Sequence, residues 1–114
     1  MFELAFKLIG ILILCHFIFD YPLQGDFLAK AKNEKAPIPG VPWVHAMFAH
    51  TFMHAGAVTL VTGSWLLGAI EFGTHFGIDR AKCRGLIDFD TDQFLHIGLK
   101  VCYVLAIVAF GPIP

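Results

Sequence analysis

Residues 43–62 read Trp-Val-His-Ala-Met-Phe-Ala-His-Thr-Phe-Met-His-Ala-Gly-Ala-Val-Thr-Leu-Val-Thr, without one Asp, Glu, Lys or Arg. At ~1.5 Å per residue, a helix of this length spans about 30 Å, one hydrocarbon thickness. The stretch reads as a transmembrane helix, and Pro42 suits its first turn. Working outward, Gly63-Ser64 makes a tight turn into a further span, residues 65–82. Another runs over 91–110 and stops before Gly111-Pro112. At the other end, residues 2–19 are broken only by Glu3, Lys7 and His16. No small-residue cleavage pattern follows them, so this stretch reads as a retained helix and not a signal peptide.

The composition agrees. The 114 residues suffice for one domain. Charged residues make up 15% and hydrophobic ones 57%, whereas a soluble domain carries about 25% charged side chains. The chain has too little polar surface to face water all round. A net charge of -1 excludes a basic nucleic-acid footprint. Cys15, Cys83 and Cys102 form no CxxC pair and predict no disulfide framework. Between the first two spans, Phe27, Leu28 and Ala31 interleave with Lys30, Lys32 and Lys35, as in a short amphipathic helix lying in the interface. Pro37, Pro39 and Pro42 then predict an extended return. The expected fold is all-α: a single membrane domain over 1–114, a four-helix transmembrane bundle with an interfacial helix between spans one and two. Six of the eight basic residues lie in the loop after span one or at the end of span three and just beyond it. The loops after these two spans are cytoplasmic by the positive-inside rule, with both termini on the other side.

Plotting polar residues by depth gathers them in one leaflet. Span one carries His16 and Asp20, span two His45, His50 and His54. Span three carries Glu71, His75 and Asp79, and span four Asp92, Gln93 and His96. Four pairs stand at i, i+4 and so share a helix face: His16/Asp20, His50/His54, His75/Asp79 and Asp92/His96. His45 lies ~140° from His50 around its helix and is expected to face elsewhere, toward the loop holding Asp26. Ionisable groups in a membrane are costly and face the bundle interior, paired with one another or with an ion. Imidazole–carboxylate pairs on facing helices suit a divalent metal, zinc first. His16, His50, His54, His75 and His96 are the expected metal ligands, with Asp20, Asp79 and Asp92 as general base or orienting carboxylates. A hydrogen-bonded network that glues the helices together is the competing reading. Lys100 extends the Asp92/His96 stripe, and counting depth back from the loop after span three sets Glu71 opposite it, so the two are expected to pair. The segments His16–Asp20 and His75–Asp79 also repeat a His-x-x-x-Asp pattern, as if spans 1–2 and 3–4 were related by a two-fold along the membrane normal. Ala69, Gly73, Gly77 and Ala81 form a small-residue stripe, suited to close packing within the chain or to a homodimer seam.

The elements His16-x-x-x-Asp20, Pro22-Leu23-Gln24-x-Asp26, His75-x-x-x-Asp79 and Asp92-Gln93-x-x-His96 resemble an uncharacterised family of small membrane proteins of bacteria and bacteriophages, defined only as a domain of unknown function. The resemblance spans nearly the whole chain. It implies a four-helix domain in a bacterial inner membrane, or in the host membrane if phage-encoded, and it implies no activity. A looser likeness of style, without shared motifs, is to bacterial membrane-bound metal-dependent hydrolases. Three functions follow as expectations: a metal-dependent hydrolase of an interfacial substrate, a non-enzymatic scaffold or modifier of the membrane, and an ion or proton conductor. The last fits worst, because the polar residues stop halfway across.

Overall fold

A computed structural model describes Met1–Pro114. The chain forms five helices and no strands: α1 (Phe2–Asp20), α2 (Gly25–Ala31), α3 (Trp43–Thr62), α4 (Trp65–Cys83) and α5 (Phe89–Phe110). Each boundary has a local cause. Gly63, at φ 72°, takes the left-handed conformation that ends α3. Ser64 then caps α4, its Oγ accepting from the Leu67 amide at 3.0 Å. Asp88 caps α5 by accepting from the Thr91 amide at 2.7 Å, and this bond holds its carboxyl below the usual carboxylate range. The segment after α5 folds back over the α3–α4 turn. There the Pro114 carbonyl accepts from Ser64 Oγ at 2.7 Å and from the Leu66 amide at 3.0 Å.

Three helices, α1, α3 and α5, are long and apolar enough to cross a membrane. This corrects the expectation of four such spans: α4 carries Glu71, Asp79, Arg80 and Lys82 within nineteen residues, which is too many charges for an apolar span. The interfacial helix is also shorter than its lysine pattern suggested and ends at Ala31.

The four long helices pack in the cyclic order α1–α3–α4–α5, leaving α1 opposite α4 and α3 opposite α5. α2 packs on α3. The closest approach is between α3 and α4 at Gly68, where a Cβ would fall on Thr59 Oγ1 and lie 3.0 Å from the Ala55 carbonyl. The interior has two unlike halves. One is a small apolar core of Leu12, Val58, Leu67, Tyr103 and Val104. The other is polar. Among buried residues the polar and charged ones outnumber the hydrophobic ones, thirteen to nine, while large side chains such as Phe2, Phe6, Leu60, Phe94 and Phe110 lie outside. That is inverted relative to a water-soluble domain, and it is what an apolar solvent selects.

The stripe of small residues faces outward. Ala69, Gly73 and Gly77 are exposed, and a Cβ on either glycine would meet nothing within 4 Å. Packing within the chain is therefore not its use.

Candidate functional site

All four i, i+4 pairs turn inward at one end of the helix ring. His16, His50, His54, His75, His96, Asp20, Asp79 and Asp92 are all buried. His45 and Asp26 are exposed and have no hydrogen bond or ion pair with the cluster or with each other.

Three sets of ligand atoms lie within 4.8 Å of one another: Asp20, His50, His54 and His75; Asp79, Asp92 and His96; and Glu71, His75 and His96. In the first set Asp20 Oδ1 lies 2.9 Å from His54 Nε2 and 3.2 Å from His50 Nε2. His75 Nε2 is 3.2 Å from His50 Nε2 and 3.8 Å from Asp20 Oδ1. A tetrahedral ion with ~2.0–2.1 Å bonds to nitrogen and oxygen sets its ligand atoms about 3.3–3.4 Å apart. The observed separations bracket that edge. Moreover, Asp20 Oδ1 and His54 Nε2, although close, make no hydrogen bond with each other or with anything else. Two buried polar atoms at such range without a well-formed bond leave hydrogen-bonding or ligating capacity that a bound ion would satisfy.

Glu71 supports this set from behind. Its Oε1 is 3.0 Å from His75 Nδ1. With the Nδ1 proton on the carboxylate side, the Nε2 lone pair of His75 is free to face His50 and Asp20. The same Oε1 accepts from Lys100 Nζ at 2.5 Å, and Oε2 accepts from Tyr103 Oη at 2.9 Å. The Glu71–Lys100 contact anticipated from depth counting is thus present.

Gln93 joins the halves of the layer. Its Nε2 donates to Asp20 Oδ2 at 2.9 Å and to Asp92 Oδ2 at 3.1 Å, and its Oε1 is 3.0 Å from His16 Nε2. His16, an expected ligand, therefore stands outside the tight sets and is turned to Gln93. In the second set His96 Nε2 is 3.0 Å from Asp79 Oδ1 and 3.4 Å from Asp92 Oδ1.

Three residues of the site were not anticipated. Lys32, expected at the membrane surface, is 3% exposed and pairs with Asp79 Oδ2. Lys82 Nζ donates to Asp92 Oδ2 at 2.9 Å. Tyr103 holds Glu71. Lys32 arrives at the C-terminal end of α2, so the segment between α1 and α3 closes the site from the loop side. A second clasp holds that segment: Arg80 Nε and Nη2 each donate to Glu34 at 3.1 Å, and Arg80 keeps the Glu34 carboxyl below its usual range. None of the four surface cavities is lined by a member of the cluster.

The fold and site define a class: a small all-α protein with apolar helices suited to a membrane and a buried histidine–carboxylate layer at one end. The chain belongs to the family described as protein of unknown function (DUF3307), which matches residues 8–111. No curated protein and no solved structure matches it.

Proposed function

We propose that Asp20, His50, His54 and His75 bind a divalent metal, zinc by its preference for such a donor set, and that the protein is a metal-dependent hydrolase of a substrate at the membrane interface. The observation that carries the reading is the pair of unbonded, buried atoms Asp20 Oδ1 and His54 Nε2 at 2.9 Å, with ligand nitrogens of His50 and His75 within 4.8 Å of them. Charge supports it too. The layer holds four carboxylates, Asp20, Glu71, Asp79 and Asp92, against three ammoniums, Lys32, Lys82 and Lys100. A divalent ion with one hydroxide brings that excess negative charge to neutrality. The metal's contribution is to make water acidic enough to be a nucleophile near neutral pH. Asp79, within 3.2 Å of His50 Nε2, would orient that imidazole, and a carboxylate of the layer would carry the proton from the water to the leaving oxygen. Water adds across the bond, its hydroxyl going to the attacked centre and its proton to the departing group. Substrate entry requires Lys32 and its segment to move aside.

In this reading α4 crosses the membrane as a fourth helix, its Glu71, His75 and Asp79 face turned to the layer. The basic loops face the cytoplasm of a bacterial cell. A non-enzymatic scaffold is the second reading, favoured by the complete closure of the site and by the lysines that already cover Glu71, Asp79 and Asp92. Elemental mass spectrometry of untagged protein, purified in detergent without chelator, separates the two. The metal reading expects stoichiometric metal in the native chain and loss of it, with a lower Tm, in the His50→Ala/His54→Ala variant. Metal-free native protein whose stability ignores added zinc leaves only the scaffold.

A further inference from the structure

The ring order gives the His-x-x-x-Asp repeat a structural meaning. A two-fold that exchanges α1 with α4 and α3 with α5 maps His16/Asp20 onto His75/Asp79. It also maps the i, i+4 pair His50/His54 onto the i, i+4 pair Asp92/His96. The proposed metal site takes Asp20 from α1, His50 and His54 from α3, and His75 from α4. Its image takes Asp79 from α4, Asp92 and His96 from α5, and His16 from α1. Three of these four residues are the ones found within 4.8 Å of one another. The fourth, His16, is buried beside them, its ring centroid 5.2 Å from that of His96.

We infer that Asp79, Asp92 and His96 form a second divalent-metal site adjoining the first. The inference rests on the metal reading of the first site. The side chains of both aspartates divide their two oxygens in the way a second ion needs. Lysine ammoniums cover the Oδ2 atoms, Lys32 on Asp79 and Lys82 on Asp92. The Oδ1 atoms are left to face His96 Nε2, at 3.0 Å from Asp79 and 3.4 Å from Asp92. Asp92 Oδ1 is fully buried and has no hydrogen-bond partner, so it is an acceptor aimed at the group and unused by it. The ammoniums fix the carboxylates from outside, as orienting groups do around metal ligands.

Asp79 also touches both sites. Its Oδ1 faces His96 in the second, while its Oδ2 lies 3.2 Å from His50 Nε2 in the first. With its Oδ2 covered by Lys32, Asp79 links the two sites through His50 and is not a ligand of both ions, and two ions so placed stand close together. A second divalent ion makes the layer net positive, so small anions such as hydroxide accompany it. The donor set also differs from that of the first site. Two carboxylates and one imidazole are harder than three imidazoles and one carboxylate, so manganese competes better at the second site than at the first.

The test uses the full untagged chain in detergent, dialysed against Mn²⁺, with bound metal counted per chain and the bound ions read by electron paramagnetic resonance. Two ions per chain with an exchange-coupled multiline spectrum are expected. Asp92→Asn, which keeps the shape of the side chain, should bind one ion and give an isolated six-line signal. One ion per native chain overturns the second site and leaves the first standing. No bound ion overturns both. Two ions without coupling overturn the adjoining placement. If Asp92→Asn does not fold, the stoichiometry and spectrum of the native chain decide alone.

Discussion

Replacing Lys100 by Met tests the deepest ion pair of the layer. Lys100 is 2% exposed, and its Nζ lies 2.5 Å from Glu71 Oε1. Removing one partner of a buried pair costs about 3–5 kcal/mol, because the other charge is left uncompensated. Here the figure falls at the low end, about 3 kcal/mol. Glu71 retains two partners, Tyr103 Oη at 2.9 Å and His75 Nδ1 at 3.0 Å, and bonds to a charged group are worth ~1.5–3 kcal/mol each. Glu71→Leu is a poor second variant, since it strands both partners. Glu71→Gln is better. Its carbonyl accepts from His75, its amide donates to Tyr103, and only the charge is lost. Alone, Glu71→Gln leaves the Lys100 ammonium buried without a counter-charge and costs about 2–3 kcal/mol. With Lys100→Met it removes both charges, and the double variant should lie within ~1–2 kcal/mol of the native chain. The coupling is therefore about 3–5 kcal/mol. Reversible unfolding of metal-free protein in mixed micelles, followed by helical circular dichroism, measures all four corners of the cycle. Additivity to within ~0.5 kcal/mol would refute the argument, because independent sites behave in that way.

Three further outcomes test the packing. Cysteines at Lys30 and Arg84, both exposed, should react rapidly with a membrane-impermeant maleimide from one side of the membrane. A cysteine at Lys32 should react many-fold more slowly, and equal rates at positions 30 and 32 would show that the segment does not close the site. Gly68→Ala should destabilise the chain by about 1–3 kcal/mol, because its Cβ meets Thr59 and the Ala55 carbonyl where α3 and α4 touch. Gly77→Ala, with open space around it, should stabilise α4 by about 0.5–1 kcal/mol. A destabilising Gly77→Ala, read in the same unfolding assay, would mean that the outward stripe is covered by another chain.

Much of the polar layer was legible because helical phase is a strong constraint. A residue four positions on faces the same way, so His50 with His54 and Asp92 with His96 had to point together once the helices existed. Depth counting along antiparallel neighbours brought Lys100 to Glu71 for the same reason. Tyr103 was within reach of that logic: it follows His96 and Lys100 by seven and three positions and so lies on their stripe. Lys32 was not. It sits at the end of a seven-residue helix, and an amphipathic pattern says only that lysines alternate with apolar groups, not which lysine finds a buried aspartate. Residues 65–82, read as the third span, are not apolar enough to count as one by composition. Their length and place in the chain matched their neighbours, but Glu71, Asp79, Arg80 and Lys82 set them apart, and their polar face is satisfied by other helices and not by lipid. The His-x-x-x-Asp repeat had the opposite history. A five-residue segment with three identities is weak ground for symmetry in a sequence, because chance supplies such matches. The same segment weighs more once α1 stands opposite α4 and α3 opposite α5, since only that order lets one rotation superpose both ligand sets. What phase alone leaves open is the rotation of each helix about its axis and its shift along it. Those two quantities decide which oxygen of Asp79 faces His50 and which faces His96, and hence, on the proposed metal reading, whether the layer has room for one ion or two.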